Sequence, residues 1–158
     1  MEIKQETSHK LKLLLISQYF YPENFKINDL IFSLKDRGHE ITVLTGKPNY
    51  SKTNFFDGYG WKSDDFETIN DIPVYRANLF SRRKGGAIRL FLNYISFAIL
   101  ALIKVRKIKG SFDAIFVYQT SPVTVGIPAI FAKKLFKTPI YFWVQDLWPE
   151  SLTAAGGV

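Results

Sequence analysis

The chain has 158 residues, 47% of them hydrophobic, which is the length of one domain with enough apolar side chain for a sizeable core. It contains no cysteine, which excludes a disulfide framework, a thiolate nucleophile and a cysteine metal site, and which a reducing cytoplasm would suit. The formal charge of +7, from 21 basic against 14 acidic residues, favours an anionic partner, either nucleic acid or a phospholipid surface.

Residues 1–10, MEIKQETSHK, are polar and read as an N-terminal extension; the apolar run that follows is too short for the h-region of a signal peptide. No linker, repeat or low-complexity tract divides residues 11–158, so one unit is expected. Lys12 to Ser17 (KLLLIS) is a continuous apolar run of the kind buried on both faces of a parallel sheet. After the loop QYFYPEN, the spacing of Ile27, Leu30, Ile31 and Leu34 predicts a helix over Phe25 to Arg37, with Gly38 as its C-terminal cap. Glu40 to Thr45 (EITVLT) is the next strand, completing a βαβ opening. Further along, the pattern predicts a short strand at Pro73 to Arg76 and a long helix at Ala87 to Lys107. A strand at Asp113 to Tyr118, a helix at Thr124 to Phe136 and a strand at Pro139 to Val144 follow, and DLWPES reads as the start of another helix. The fold class is therefore α/β: a Rossmann-like, doubly wound, mainly parallel sheet with helices on both faces.

The stretch Gly46 to Asn70 breaks the alternation. It is long, aromatic and glycine-bearing, and long loops in compact domains are usually functional or mobile. Its aromatics, mixed with Asn, Asp and Lys, suit a sugar, which offers CH faces and hydroxyls together. They equally suit packing of the loop onto the domain, and that reading is preferred for most of them.

In an open parallel sheet, ligands bind at the carboxyl ends of the strands. The loops there are QYFYPEN, GKPNYSK, YQTSPVTVG and VQDLWPE, each polar or aromatic directly after an apolar run. No G-x-G-x-x-G follows the first strand, and no P-loop or G-x-S-x-G elbow occurs. The two histidines are His9, in the polar extension, and His39, at the opposite end of a strand, so a histidine triad or zinc site is not expected. There is no D-x-D metal motif, and no metal is expected. Carboxylates and amides remain. Asp146 and Glu150 flank LWP directly after a strand. Asp146 either accepts from a sugar hydroxyl and positions it for attack, or caps the following helix, and one Asp can do both. Glu23 is either a site carboxylate or a solvated first-turn acid, and Asn28 faces either the loops or solvent.

The long helix carries a second message. AIRLFLNYISFAILALIKVRKIK is apolar through most of Leu90 to Val105, with Arg82, Arg83 and Lys84 before it and Lys104, Arg106, Lys107 and Lys109 after it. A spanning helix needs roughly 20 apolar residues, and Arg89, Asn93 and Ser96 interrupt this one. The pattern predicts an interfacial helix with basic, headgroup-facing ends rather than one wholly buried on the sheet. Because the basic residues gather at helix ends and not along an aromatic-interleaved stripe, no nucleic-acid partner is expected.

With these segments placed, the sequence resembles the GT-B glycosyltransferases of family 4, and within them those that build bacterial O-antigen, capsule or colanic acid. The segments that carry the resemblance are SQYFYPENFKINDL, RGHEITVLTGKPNY, GAIRLFLNYISF, VYQTSPVTVGIPA and FWVQDLWPES. The resemblance implies that this chain is the N-terminal, acceptor-side domain, working with its own C-terminal domain, which would hold a UDP-sugar. It implies a lipid-linked saccharide acceptor, transfer with retention and no bound metal. It also implies a cytoplasmic location, peripheral on the inner face of the membrane. The family's E-x7-E motif and its diphosphate-binding Arg or Lys belong to that second domain and do not occur in these 158 residues, so the chain by itself is expected to be inactive. By position in the matching motifs, Asp146 is the candidate catalytic residue. The acceptor-binding candidates are Tyr19, Tyr21, Glu23, Asn28, Lys47, Pro48, Asn49, Tyr50, Asn93, Tyr94, Gln119, Ser121, Gln145 and Glu150. The membrane-contact candidates are Arg82, Arg83, Lys84, Arg89, Lys104, Arg106 and Lys107. The competing expectation is a non-catalytic Rossmann-like module that holds a lipid or a partner protein through its basic helix.

Overall fold

A computed structural model describes residues 9–50, 52, 54–83, 86–120 and 122–147. In chain order its elements are β1 (Lys12–Ser17), α1 (Lys26–Asp36), β2 (Glu40–Gly46), β3 (Phe66–Ile69), β4 (Ile72–Ala77), α2 (Ala87–Val105), β5 (Ala114–Gln119), α3 (Gly126–Phe136) and β6 (Ile140–Val144). A short 3-10 turn at Val123–Val125 leads into α3. The sheet order is β3-β4-β2-β1-β5-β6. Every neighbouring pair is parallel except β3 and β4, which are antiparallel. This is the doubly wound α/β arrangement expected from the sequence.

Strand alternation divides the core into two layers. Leu14, Ile16, Leu44, Ile115 and Val117 point to the face covered by α2 and α3, where they meet Phe97, Ala101, Val105, Ala129 and Ala132. Leu15, Val43, Val74 and Tyr118 point to the other face and pack with Ile27 and Ile31 of α1. The α1 stripe is the one its sequence spacing predicts. The helix stops where expected: Gly38 takes a φ of 90°, its N–H donates to Lys35 O, and the His39 N–H donates to Leu34 O.

The stretch read from the sequence as an irregular loop contains a strand. β3 ends it and pairs with β4 across a two-residue turn, Asn70 and Asp71, both with positive φ (48° and 59°). Two positive-φ residues twist a hairpin the way its strands twist, and Asn and Asp bear that conformation better than most residues. β3 escapes periodicity analysis because it is four residues long, with alternately exposed and half-buried side chains.

The remainder of the stretch has no regular structure, yet it is tied down. Lys47, wholly buried at the end of β2, donates its ammonium to the carbonyls of Gly60 and Ser63 (2.7 Å to the latter) and lies 3.4 Å from Asp65. Lys104 of α2 pairs with the same carboxylate. Arg76, also buried, bonds Glu67 at 2.6 Å, the Gly46 carbonyl at 3.1 Å and the Tyr21 carbonyl, and lies over the Tyr59 ring. Tyr59 in turn reaches Glu67 with its hydroxyl. Tyr59 and the half-buried Phe55 thus follow the packing reading of the loop aromatics.

α2 is long and apolar enough to cross a membrane by length and composition alone. It nevertheless lies on the sheet, burying Phe97, Ala98, Ala101 and Val105 there. Its other side keeps Ile88, Phe91, Leu92, Ile99 and Ile103 exposed, a stripe at helical spacing with Arg89 and Arg106 at its ends. Lys104 is not part of that outer face as the basic-end reading expects: it turns inward to Asp65 and is only 7% exposed.

Candidate functional site

The sheet order reverses between β1 and β5, so the crevice at their carboxyl ends is the topological switch point where ligands collect in open α/β sheets. Four segments converge there: the end of β1 with its loop (Gln18 to Glu23), the end of β2 (Lys47 to Tyr50), the segment after β4 (Phe80 to Arg82), and Asn93 and Tyr94 on α2. Gly46 is what lets the first two approach. A Cβ there would stand 2.6 Å from Leu79 and 2.8 Å from the Gln18 carbonyl, closer than any side chain tolerates.

Asn93 and Asn49 form the hub. The Asn93 amide donates to Asn49 Oδ1 at 3.0 Å and to the Phe80 carbonyl at 2.6 Å, and its carbonyl oxygen accepts from Gln18 at 2.7 Å. Asn49 Oδ1 also accepts the Arg82 N–H at 3.2 Å, while its own amide donates to the Lys47 carbonyl at 3.0 Å. Asn93 is fully buried and Asn49 nearly so, which makes them the frame of the site. Asn28 is similarly internal, donating to the Glu23 carbonyl at 2.7 Å.

Glu23 sits 2% exposed beneath this frame. Its Oε1 accepts the N–H groups of Asn49 (2.8 Å) and Tyr50 (2.6 Å), while Oε2 has no hydrogen-bond partner among the described residues. Burial pushes its pKa up to about 7, opposed by those two amides and by the charge of Arg76. It is therefore a structural acid poised near neutrality, not a solvated first-turn carboxylate.

Above the frame lies an aromatic cluster. Tyr19 stacks on Phe25 (4.9 Å between centroids, 8° between planes), and Tyr50 sets its edge against both, at 5.2 and 5.0 Å. Arg82 covers Tyr50 at 4.7 Å and reaches Tyr94 at 6.0 Å, while its guanidinium donates to the Tyr19 hydroxyl at 3.3 Å. Arg82, expected on the lipid-facing side, is folded over the site instead. Burial raises the Tyr19 hydroxyl well above its ordinary range, against the pull of Arg82. Tyr50 (40% exposed) and Tyr21 (48%) present ring surface outward.

Lys47 belongs to the loop clamp and lies wholly inside. Burial pushes its ammonium pKa down, while the Asp65 carboxylate pulls it back up. Across the crevice, buried Gln119 donates to the Asp146 carbonyl at 3.0 Å, and the Gln145 N–H donates to the Gln119 carbonyl at 2.9 Å. Gln145 is exposed and Asp146 half-buried; within the described residues the Asp146 side chain forms no ion pair or hydrogen bond. The helix it was expected to cap lies outside the described residues, as do Ser121, Glu150 and Lys84. The described residues contain no cluster of three metal-ligating groups. The structure thus brings Tyr19, Glu23, Asn49, Tyr50, Asn93 and Tyr94 into one assembly. It adds Phe25, stacked on Tyr19, and Gln18 and Arg82, whose bonds to Asn93 and Tyr19 join residues too distant in sequence for local pattern to reveal.

No family model matches the chain, and no curated protein matches it. Among solved structures it is similar to the catalytic domain of starch synthase IV from Arabidopsis thaliana, bound to ADP and acarbose. The TM-score is 0.52 at 15% identity, over 84% of this chain and 33% of that one. The chain therefore spans about a third of that structure's length, and the likeness establishes the Rossmann-like fold.

Proposed function

We propose that the chain is the acceptor-side half of a GT-B glycosyltransferase, one that moves a sugar from a nucleotide-sugar to a lipid-linked saccharide used in cell-surface polysaccharide. The observation that carries this reading is the fold likeness, over 84% of the chain, to the catalytic domain of a starch synthase bound to ADP and acarbose. The motifs at the carboxyl ends of the strands fit the same role. Exposed Tyr50 and Tyr21 offer rings for sugar CH faces. Asp146, free of side-chain partners among the described residues, offers a carboxylate to an acceptor hydroxyl across the crevice.

In this scheme the nucleotide, most simply a UDP-sugar, is held by a second domain facing the crevice. Glu23, Asn49 and Asn93 fix the loops, and Asp146 orients the attacking hydroxyl. The bond between the anomeric carbon and the diphosphate oxygen breaks, the acceptor hydroxyl oxygen bonds to that carbon, and its proton passes to the departing diphosphate. The outer stripe of α2, flanked by Arg89 and Arg106, sits against the inner membrane face and brings the acceptor within reach. The same stripe is what a non-catalytic membrane module would use.

The test is transfer of labelled sugar from a panel of UDP-sugars into lipid extracted from the host's membranes, using the protein together with its donor-binding domain. Label in the lipid fraction with one donor supports the reading. No label with any donor, from folded protein, sinks it in favour of the binding module. Asp146→Ala is expected to lower transfer at least 100-fold, of the order of a lost positioning or proton-transfer group, with little change in melting temperature. Equal losses of transfer and stability would assign Asp146 to capping alone.

A further inference from the structure

Glu23 Oε2 and Asn28 Oδ1 are buried oxygens on one stretch of chain, and both lack a hydrogen-bond partner among the described residues. The stretch leads from β1 into α1, and backbone bonds close it. The Glu23 N–H donates to the Phe20 carbonyl, the Phe25 N–H to the Glu23 carbonyl and the Asn28 N–H to the Phe25 carbonyl. The Asn28 side chain folds back across this turn, its amide donating to the Glu23 carbonyl at 2.7 Å. Glu23 is 2% exposed and Asn28 7%, so water does not cover the gap freely. A buried acceptor without a donor costs free energy, and a buried anionic oxygen without one costs more. One proton on Oε2 satisfies both atoms.

The other oxygen of Glu23 has the complementary arrangement. Oε1 accepts the N–H groups of Asn49 and Tyr50, as a carbonyl oxygen with two lone pairs can. A carboxylic acid has one oxygen of each kind, an acceptor and a hydroxyl donor. The charges around it do not require an anion. The Arg76 guanidinium of β4 acts on Glu23, yet it is already bonded to Glu67 at 2.6 Å. Lys47, after β2, is turned to Gly60, Ser63 and Asp65. Tyr19, after β1, stays neutral because burial raises its hydroxyl, and Lys26 and Asp29 of α1 are exposed. Among the described residues no cation pairs with the Glu23 carboxyl, and burial is the largest influence on its proton.

We propose that Glu23 is a neutral acid donating Oε2–H to Asn28 Oδ1, and that loss of this proton is a conformational switch for the Asn49–Tyr50 segment. The neutral acid joins the first loop, the start of α1 and the end of β2 through one carboxyl group. When the proton leaves for bulk water, Oε2 becomes an anion beside another acceptor oxygen. The two repel, the carboxylate turns away, and the Asn49 and Tyr50 N–H groups lose their shared acceptor. Tyr50 packs on Tyr19 and Phe25 beneath Arg82, so its release reshapes the ring surface at the crevice. The segment is therefore fixed below neutral pH and loosens above it. This switch stands whether or not the chain serves a glycosyl transfer.

The test is a nuclear magnetic resonance titration of the isotope-labelled 158-residue chain between about pH 4 and 9, spanning the ordinary and raised carboxyl ranges. The Glu23 carboxyl carbon is expected to titrate with a midpoint about 7. The Asn28 side-chain amide and the Asn49 and Tyr50 N–H signals should move with the same midpoint, and exchange at those two N–H groups should quicken above it. Glu23→Gln supplies a permanent donor toward Asn28 and should hold all three signals still across the range. Asn28→Leu removes the acceptor and should lower the Glu23 midpoint by about one pH unit, the worth of one hydrogen bond to the neutral form. A Glu23 midpoint near 4.5 overturns the proposal, as does a raised midpoint that Asn28→Leu leaves in place. If Asn28→Leu does not fold, the wild-type spectra decide: an Asn28 amide that stays still while Glu23 titrates overturns the proton's placement. Asn49 and Tyr50 signals that stay still overturn the switch.

Discussion

Glu23 gives one carboxylate oxygen to the Asn49 and Tyr50 amides and has no hydrogen-bond partner for the other among the described residues. Burial raises its pKa to about 7 in the folded chain, against an ordinary value of 4.5. The folded state therefore holds this proton more tightly than the unfolded state. Its stabilising contribution is complete below about pH 4.5 and is lost as pH rises toward 7, a swing of roughly 3 kcal/mol. Glu23→Gln keeps an oxygen for both amides and has no proton to lose. Urea unfolding between pH 5 and 8 should show a falling stability in the wild type and a flatter profile in the variant; parallel profiles would remove Glu23 as the cause. Lys47 makes a different kind of contribution. Lys47→Met fills the volume but leaves the Gly60 and Ser63 carbonyls and one side of Asp65 without their cation, a loss of about 3 kcal/mol by analogy with a broken buried pair. Thermal unfolding checks the size, and faster proteolysis within residues 54–63 checks the place. At this scale the sequence was legible in part. Tyr19, Glu23, Asn49, Tyr50 and Asn93 stood out by position in motifs. That Asn49 and Asn93 bond each other, and that Arg76 ties β4 to the first loop, could not be read, because those partners lie 44 and 55 residues apart.

Elements with a strong period were legible, and those without one were not. The continuous apolar runs of β1, β2 and β5 and the Ile27–Ile31 spacing of α1 announce structures that bury them on both faces or on one stripe. β3 has only the Asn70–Asp71 turn to announce it, and that dipeptide is a weaker hairpin signal than one containing glycine. α2 was ambiguous for a physical reason: it is apolar all round because one side packs on the sheet while Ile88, Phe91, Leu92, Ile99 and Ile103 remain outside. If that outer stripe meets a bilayer, Phe91→Ser with Ile99→Ser should cut binding to anionic vesicles several-fold in flotation assays. Exposed substitutions of this kind should change stability by no more than about 0.5 kcal/mol. Unchanged flotation would return the stripe to a protein partner.

For the molecule as a whole, the alternation of strands and helices made the doubly wound order legible, and with it the edge at which a ligand would bind. Helix coverage was not legible: among the described residues α2 and α3 share one face and α1 packs on the other, with Tyr141 58% exposed and Trp143 half-buried beside Phe116. The two borders of the sheet also differ. One ends in β3, which is short and carries Glu67 and Thr68; the other ends in β6, IYFWV, with Tyr141, Phe142 and Val144 exposed and no strand beyond it among the described residues. An unpaired apolar strand is a template for its own copy. Concentrated solutions of the 158-residue chain should therefore associate through β6 and not through β3. Tyr141→Lys places a charge on that adhesive rim and should slow the growth of light scattering in concentrated solution, whereas the same charge at Thr68 should leave it unchanged.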